Sequence, residues 1–304
     1  MIKAPPTPKG FRDIKPDLAK RRRETISRIV SVLEEYGFVP IETPTIEFAD
    51  TLKGKYGEEE RLIYEFTDRG GRKLALRYDL TVPLARYVAT YNPPLPFRRY
   101  QIGQVFRGEN PQKGRFREFT QLDFDTVGSN DPEEDAQVVA VTIKCMRELG
   151  FKDAIMLIND RFNFQSLPVE VIRAMDKLNK IGEEAVLQEL TDGGLSPDDA
   201  RLTIGKIKSQ KPTENLMQIF NILKDKYNLK DGADFKFDPT LARGLDYYTG
   251  AIFELKVDQE PTSLSVGGGG RYDKLIGSFS RKDIPAVGFS FGLDRLIDFL
   301  YTER

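Results

Sequence analysis

The chain has 304 residues, 39% of them apolar, with 46 Lys and Arg against 47 Asp and Glu. That length fills one large domain or two modest ones, and the balanced charge means that any affinity for phosphate or nucleic acid must come from local patches. The absence of histidine and the presence of one cysteine, Cys145, exclude Ser-His-Asp, Cys-His and HExxH chemistry, cysteine zinc sites and an intrachain disulfide. Carboxylates, Arg, Lys, Tyr, backbone groups and oxygen-bound metals remain.

The N-terminal stretch MIKAPPTPKGFRDIKP has no apolar core, and no run of about 18 apolar residues follows, so a cytoplasmic location is expected. Residues 16–37 open on Pro-Asp, set Ile26, Ile29, Val30 and Leu33 on one face and end at a glycine, which predicts an amphipathic helix. Its basic run at 20–23 suits a solvated face or a dimer rim better than a nucleic-acid contact. FVPIETPTIE alternates like a strand, and its two prolines confine it to a sheet edge or strand end, where a partner subunit would fit. LIYEFTD, KLALRYD, RRYQIGQVFRG and REFTQLDFDTVG follow as strand patterns separated by turn residues, so an antiparallel sheet is expected.

Residues 131–150 read as a helix that buries Cys145 as a structural thiol, and AIMLIND as a strand. The block 168–230 shows helical periodicity without β-rich runs and reads as an inserted helical subdomain, leaving 1–167 and 231–304 as one domain. Strand patterns return at 236–258 and at SVGGGGRYDKLIG. AVGFSFGLDRLIDFLYTE then passes from a Gly-spaced strand into a closing helix, so the last segment rejoins the first sheet. The fold class is α+β.

Four segments stand out. In FRGENPQKGRFREF (106–119), Arg107, Lys113, Arg115 and Arg117 flank a turn between strand-like arms. Guanidinium forks bind phosphate oxygens in pairs, so one reading is a polyphosphate site and the other a solvated charged hairpin. Phe116 and Phe119 allow a base to stack, which leaves a plain RNA-binding module as a further possibility. SVGGGG fits neither GxGxxG nor GxxxxGK[ST]; its glycines suit a close substrate approach or a flexible loop equally. In GFSFGLDRL, Arg295 falls in the first helical turn, where it opposes the helix dipole and favours a ligand contact. Finally, LARGLDYYTGAIFE (241–254) sets Arg243, Asp246 and two tyrosines in an otherwise apolar, strand-like run.

In this order the segments resemble the catalytic domain of class II aminoacyl-tRNA synthetases, and specifically the histidyl-tRNA synthetase family. YGFVPIETPTIE, with Pro44, resembles the first class II signature; FRGE with GRFREF resembles the second, and GFSFGLDRL the third. LARGLDYYTGAIFE and GGGGRYD resemble the two histidine-specific segments, and RYDLTVPLARY and QLDFDTVG fit as well. The match spans residues 7–300. It implies an antiparallel sheet flanked by helices with a helical insertion, and an enzyme that joins the histidine carboxylate to the α-phosphate of ATP, releases pyrophosphate and passes the histidyl group to the 3′ end of tRNA.

By resemblance, Arg107 and Arg243 would grip the α-phosphate from opposite sides, Arg115 would reach the outer phosphates, Glu109 and Phe119 would hold and stack the adenine, and Arg295 would cover its other face. Mg²⁺ would bridge phosphate oxygens. A neutral imidazole needs an acceptor and a donor facing each other, and Asp125 and Tyr248 would be that pair. Asp79, Thr81 and Gln121 would bind the α-amino end, and Tyr272 would line the pocket.

The resemblance also implies a homodimer built on the first signature and helices at 168–230 lying over the tRNA acceptor stem; it is to the catalytic domain without the family's usual C-terminal anticodon-binding unit, about 100 residues that would follow Arg304. RYDLT replaces the common arginine-proline-glutamate-glycine-threonine form, as in the eukaryotic and archaeal branch, and Asp79 reaches less far than a glutamate. The regulatory partner of ATP phosphoribosyltransferase shares this fold, so a histidine-sensing subunit is the alternative function. Such a subunit has no need of Arg107, Glu109, Arg115, Arg243 and Arg295.

Overall fold

The structure is a computed structural model that describes residues 5–111, 115–243, 247–258 and 265–301; Lys113 of the basic hairpin and Asp246 of the tyrosine motif lie outside them. Helix α1 (Pro16–Glu35) begins on a proline with an acidic residue behind it, and buries Ile29, Val32 and Leu33. The chain continues through β1 (Val39–Pro40), β2 (Ile46–Phe48), α2 (Ala49–Leu52), β3 (Glu65–Thr67), β4 (Lys73–Leu76) and α3 (Thr81–Tyr91). The long hairpin arms β5 (Phe97–Phe106) and β6 (Glu118–Val127) follow, then α4 (Pro132–Glu148) and β7 (Ile155–Asp160). Asp131 caps α4 by accepting from the Glu133 N–H at 2.9 Å, ahead of a proline in its first turn.

Next come α5 (Val169–Asp176), α6 (Leu178–Ile181), α7 (Glu183–Asp192), α8 (Pro197–Lys208) and α9 (Glu214–Asp225). Ser196 and Thr213 cap α8 and α9 through their hydroxyls. The chain closes with β8 (Phe235–Phe237), β9 (Ala251–Lys256), β10 (Ser265–Arg271), β11 (Ala286–Gly292) and α10 (Leu293–Tyr301).

Among the described residues, eight strands form one sheet in the order β1-β5-β6-β11-β10-β9-β7-β8. The six central strands pair antiparallel, and the outermost strands, β1 and β8, pair parallel to their neighbours. Strand alternation divides this sheet into two unlike faces. Leu122 and Phe124 of β6, Val287, Phe289 and Phe291 of β11, and Phe253 and Leu255 of β9 point into a core closed by α1, α4, α9 and α10. On the opposite face, α5, α7 and α8 build a second core over Leu157 and Ile252, and α2 and α3 a third around Val127 and Ala286. Between those two cores the sheet is left open.

The two ends of the chain meet beside that opening. Asp294, at the start of α10, accepts from Arg12 at 2.5 Å, Arg22 at 2.8 Å and the Thr120 N–H at 2.6 Å. Arg12 also lies 3.9 Å from the centroid of the Phe116 ring.

Several expectations change in detail. The early strands do not form one sheet: β2, β4 and β3 make a separate three-stranded sheet, because α3 intervenes before β5. Among the described residues of the run 236–258, strand is found at Phe235–Phe237, which begins one residue earlier, and at Ala251–Lys256; Arg243, Tyr247 and Tyr248 sit in the connection leading into β9. Of the two readings of the glycine cluster, the strand pattern holds and the flexible loop does not: it is the central strand β10, paired on both sides. Within the 168–230 block, α9 packs with α4 in the first core while α5–α8 form the second.

Candidate active site

The open part of the sheet is the floor of a cleft of about 860 Å³. Cross-strand register sets its floor in rows. Arg99, Asp125, Gly288, Gly270 and Ile252 are directly opposite one another across β5, β6, β11, β10 and β9. Two residues along lies the row Gln101, Asp123, Ser290, Gly268 and Glu254, and two further the trio Gly103, Gln121 and Gly292. The glycines make room for charge. A Cβ at Gly268 would lie 2.5 Å from the guanidinium carbon of Arg243, and one at Gly288 would collide with the Asp125 carboxylate.

All twelve residues singled out in the sequence line this one cleft: Asp79, Thr81, Arg107, Glu109, Arg115, Phe119, Gln121, Asp125, Arg243, Tyr248, Tyr272 and Arg295. They grade by charge along it. Asp79 and Asp125 lie toward one end and Arg115 and Arg295, with Glu109, toward the other, while Arg107 beside Tyr78 and Asp79 and Arg243 over Gly268 stand between them; β6 runs about 20 Å from Phe119 to Asp125 at the rise of an extended strand.

At the acidic end Asp79 precedes α3, and its Oδ1 accepts from the Val82 N–H and the Tyr56 hydroxyl, each at 3.0 Å. Burial raises the pKa of Asp79 against those bonds, and its Oδ2 is buried and unpaired. Gln121 Oε1 and Asp123 Oδ1 are likewise buried and unpaired. Asp125 is held on both sides: the fully buried Arg99 forms an ion pair with it at 2.6 Å, and the Tyr272 hydroxyl donates to it. Burial raises the Asp125 carboxyl in spite of Arg99, and pushes up the phenols of Tyr56, Tyr247, Tyr248 and Tyr272, which stay protonated donors.

Beneath this end, Arg271 turns to the other face of the sheet, donates to the buried Asp135 of α4 at 3.1 Å and to the Ser129 carbonyl at 2.9 Å. Its own carbonyl accepts from the Thr249 N–H at 2.8 Å. The two strand ends carrying Tyr248 and Tyr272 are thereby tied together.

Toward the basic end, Arg107 lies 4.3 Å from the Tyr78 ring centroid and 5.1 Å from that of Phe119. Burial works against its charge, but Tyr78, Glu109 and Asp79 outweigh burial, and it remains a cation. Glu109 meets Arg115 at 3.6 Å, and Arg243 meets Glu254 at 3.7 Å. Both are long contacts that leave guanidinium donors available to an anion. Arg295 donates to the Ser265 carbonyl at 2.6 Å; burial and the neighbouring Arg115 lower its pKa. Four arginines along one cavity form an anion site suited to several phosphates.

Sequence reasoning missed four participants. Asp123 was legible, because Gln121, Asp123 and Asp125 alternate along one strand and must share a face. Glu254 stood inside a motif already quoted. Arg99 and Tyr56 gave no sequence signal, since their roles arise from pairing across β5–β6 and from packing under Asp79.

The family model for histidyl-tRNA synthetase matches residues 10–166 and 172–296. The histidine–tRNA ligase of Aeropyrum pernix is 44% identical over 97% of this chain and 74% of its own length; that of Nanoarchaeum equitans is 45% identical over 96% and 73%. Among solved structures, histidyl-tRNA synthetase from Nostoc sp. superposes with a TM-score of 0.80 at 29% identity, covering 100% of this chain and 76% of its own. A Bacillus halodurans protein described as an ATP phosphoribosyltransferase regulatory subunit/histidyl-tRNA synthetase matches with a TM-score of 0.78 at 23% identity over 99% of this chain and 84% of its own, a likeness of fold.

Proposed function

Because the chain belongs to the histidyl-tRNA synthetase family, we propose that the cleft is its adenylation site, with histidine at the carboxylate end and ATP at the arginine end. The reaction is activation of histidine with ATP and its transfer to tRNA, the chemistry of a class II aminoacyl-tRNA synthetase. The observation that carries the assignment of the two ends is the gradation of one cleft from the buried acceptors and phenols around Asp79 and Asp125 to Arg115 and Arg295, with Arg107 and Arg243 between them, where the histidine carboxylate would meet the α-phosphate.

In the first step a histidine carboxylate oxygen forms a bond to the α-phosphorus, and the bond to the departing pyrophosphate oxygen breaks. Negative charge grows on the phosphoryl oxygens, and Arg107 and Arg243 approach them from opposite sides. Arg115 takes the outer phosphates. Glu109 and Phe119 hold the adenine, with Arg295 over its second face. Asp79, Thr81 and Gln121 receive the α-amino group, while Asp125 and Tyr248 read the imidazole as acceptor and donor and Tyr272 fixes Asp125. Arg99 holds Asp125 in place through its ion pair, against the burial that raises that carboxyl.

Mg²⁺ enters with ATP. Single carboxylates, Glu109 and Glu254, line the cleft where phosphates would lie, and among the described residues no group of three potential ligands gathers; that donor set suits an ion carried on phosphate oxygens and water. Bound there, it would neutralise charge on the outer phosphates.

We further assign a homodimer. Val39 of β1, Ile46 and Phe48 of β2 and Phe66 of β3 are exposed, Phe48 by 58%, which is the apolar surface a two-fold contact would cover. The helical insertion at 168–230, anchored on the main core by α9, would face the tRNA acceptor stem. Among the described residues no helix is long and apolar enough to cross a membrane, and the reaction is placed in the cytoplasm. The test is ATP–pyrophosphate exchange with histidine, with each other amino acid and with none. Exchange that depends on histidine alone is expected; histidine binding without exchange would turn the assignment to a sensing subunit.

A further inference from the structure

The acidic end of the cleft holds more unpaired acceptors than the assigned residues account for. Among the described residues, five side-chain oxygens of the cleft lining are buried without a hydrogen-bond partner; Asp125 Oδ2 has Arg99 as its ion-pair partner and Ser290 Oγ carries a proton of its own, which leaves Asp79 Oδ2, Gln121 Oε1 and Asp123 Oδ1 as the unpaired acceptors. An unpaired buried acceptor destabilises the empty site. A primary ammonium has three N–H donors and no acceptor, which is the complement of this set.

The charge balance points the same way. Asp123 and Asp125 stand two residues apart on one face of β6, and Arg99 spends its ion pair on Asp125. The other charged neighbours give Asp123 no counter-ion. Arg77 commits its guanidinium to the carbonyls of Gln104 and Thr43, Arg107 lies by Tyr78, and Asp79 is a further negative charge. Ser290 opposite on β11 is neutral, and the Tyr272 hydroxyl is given to Asp125. Burial is the largest cause, and with Asp125 and Asp79 it outweighs Arg99 and the Ser290 hydroxyl, which both lower the Asp123 carboxyl, and pushes it up to about 7.

We propose that Asp123 is a further acceptor for the α-ammonium of histidine, beside Asp79, Thr81 and Gln121, and that it releases a proton to solvent when the amino acid binds. The O–H bond of the neutral carboxyl breaks, the proton goes to the buffer, and the carboxylate left behind accepts a hydrogen bond from an ammonium that arrives already charged. No covalent bond to histidine changes. The assignment rests on histidine occupying this end of the cleft.

Calorimetric titration of the whole protein with histidine, at pH 7 in two buffers of different ionisation enthalpy, reads the protons exchanged. Native protein should release about half a proton more than Asp123→Asn, the imidazole contributing equally to both. The variant should bind histidine about ten- to a hundredfold more weakly, with the KM for ATP within about twofold of native. Imidazolepropionate, which lacks the amino group, supplies a test on native protein alone: it should bind weakly and without the additional release. Equal release by the variant, or the same release with imidazolepropionate, would overturn the proposal while leaving the active-site reading intact. No binding of histidine by native protein would overturn both.

Discussion

One face of the eight-stranded sheet and the other are built from the same strands by opposite rules. On β6, Leu122 and Phe124 go into an apolar core under four helices, whereas Gln121, Asp123 and Asp125, their immediate neighbours, form the floor of a cleft where buried charge is incompletely paired. The first face follows close packing: Phe124 has ring contacts at 5.2 Å to Phe38 and 6.1 Å to Phe289. On the second, glycines at 268 and 288 leave space that side chains would otherwise fill. A strand's alternation can thus separate stability from function at a spacing of one residue, and substitutions at adjacent positions should fail in different ways.

The largest effect should come from Phe124→Ala, which empties a fully buried ring position and is expected to cost about 3–5 kcal/mol of stability in chemical denaturation. KM values for histidine and ATP, measured on the folded fraction, should hold. A selective rise in the histidine KM would break the separation. Arg243→Ala should behave in the opposite sense, with pyrophosphate exchange lower by about 10²–10³-fold and the melting temperature nearly unchanged. Arg243→Lys should recover little, because a planar two-pronged contact is lost. Retained exchange in either variant would remove Arg243 from the role given to it.

Tyr272→Phe sharpens the contrast within the cleft. Losing the hydroxyl that donates to Asp125 should raise the histidine KM about five- to tenfold, a net loss of about 1 kcal/mol, and leave the ATP KM steady. An equal rise in both constants would mean a general collapse of the site. The smallest effect concerns pH. Burial raises the carboxyls of Asp123 to about 7 and Asp135 to about 6, above the ordinary value of 3.8. Between pH 4 and 7 the folded protein therefore keeps protons that the unfolded chain has released. Their contribution is fully present below about pH 4 and is lost as pH rises through 6 and 7. Ligand-free protein should be less stable at pH 8 than at pH 5, and Asp123→Asn should flatten the upper part of that slope. An unchanged slope would show that Asp123 titrates at an ordinary value.

Much of this was legible in the chain. Helix α1, the β5–β6 hairpin and the closing strand-to-helix segment follow from periodicity and punctuation, which are local. The twelve candidate site residues were picked out by short ordered motifs, and the fold brings all twelve to one cleft. What stayed hidden depends on neighbours distant in sequence. Composition cannot tell a glycine loop from a glycine strand; β10 becomes a strand only through its pairing with β9 and β11. Arg99 looks like any strand arginine until register sets it opposite Asp125. The separate sheet of β2, β4 and β3 likewise depends on α3 taking the chain away before β5 begins. Asp123 is the one omission that alternation alone could have prevented.

The contacts of Asp294 also bear on when this protein becomes active during its own synthesis. Arg12 and Asp294 are 282 positions apart, and the same carboxylate holds the Thr120 N–H at the start of the cleft floor. Strands β10 and β11, which complete the glycine rows, belong to the last part of the described chain as well. A ribosome that has released only the first two thirds of these residues has exposed the hairpin arginines but neither Arg243 nor Arg295. In the roles proposed above, such a nascent chain would lack two of the four arginines of the cleft. The unpaired edge of β6 waits during that interval for β11, the strand that both fills it and delivers the final arginine.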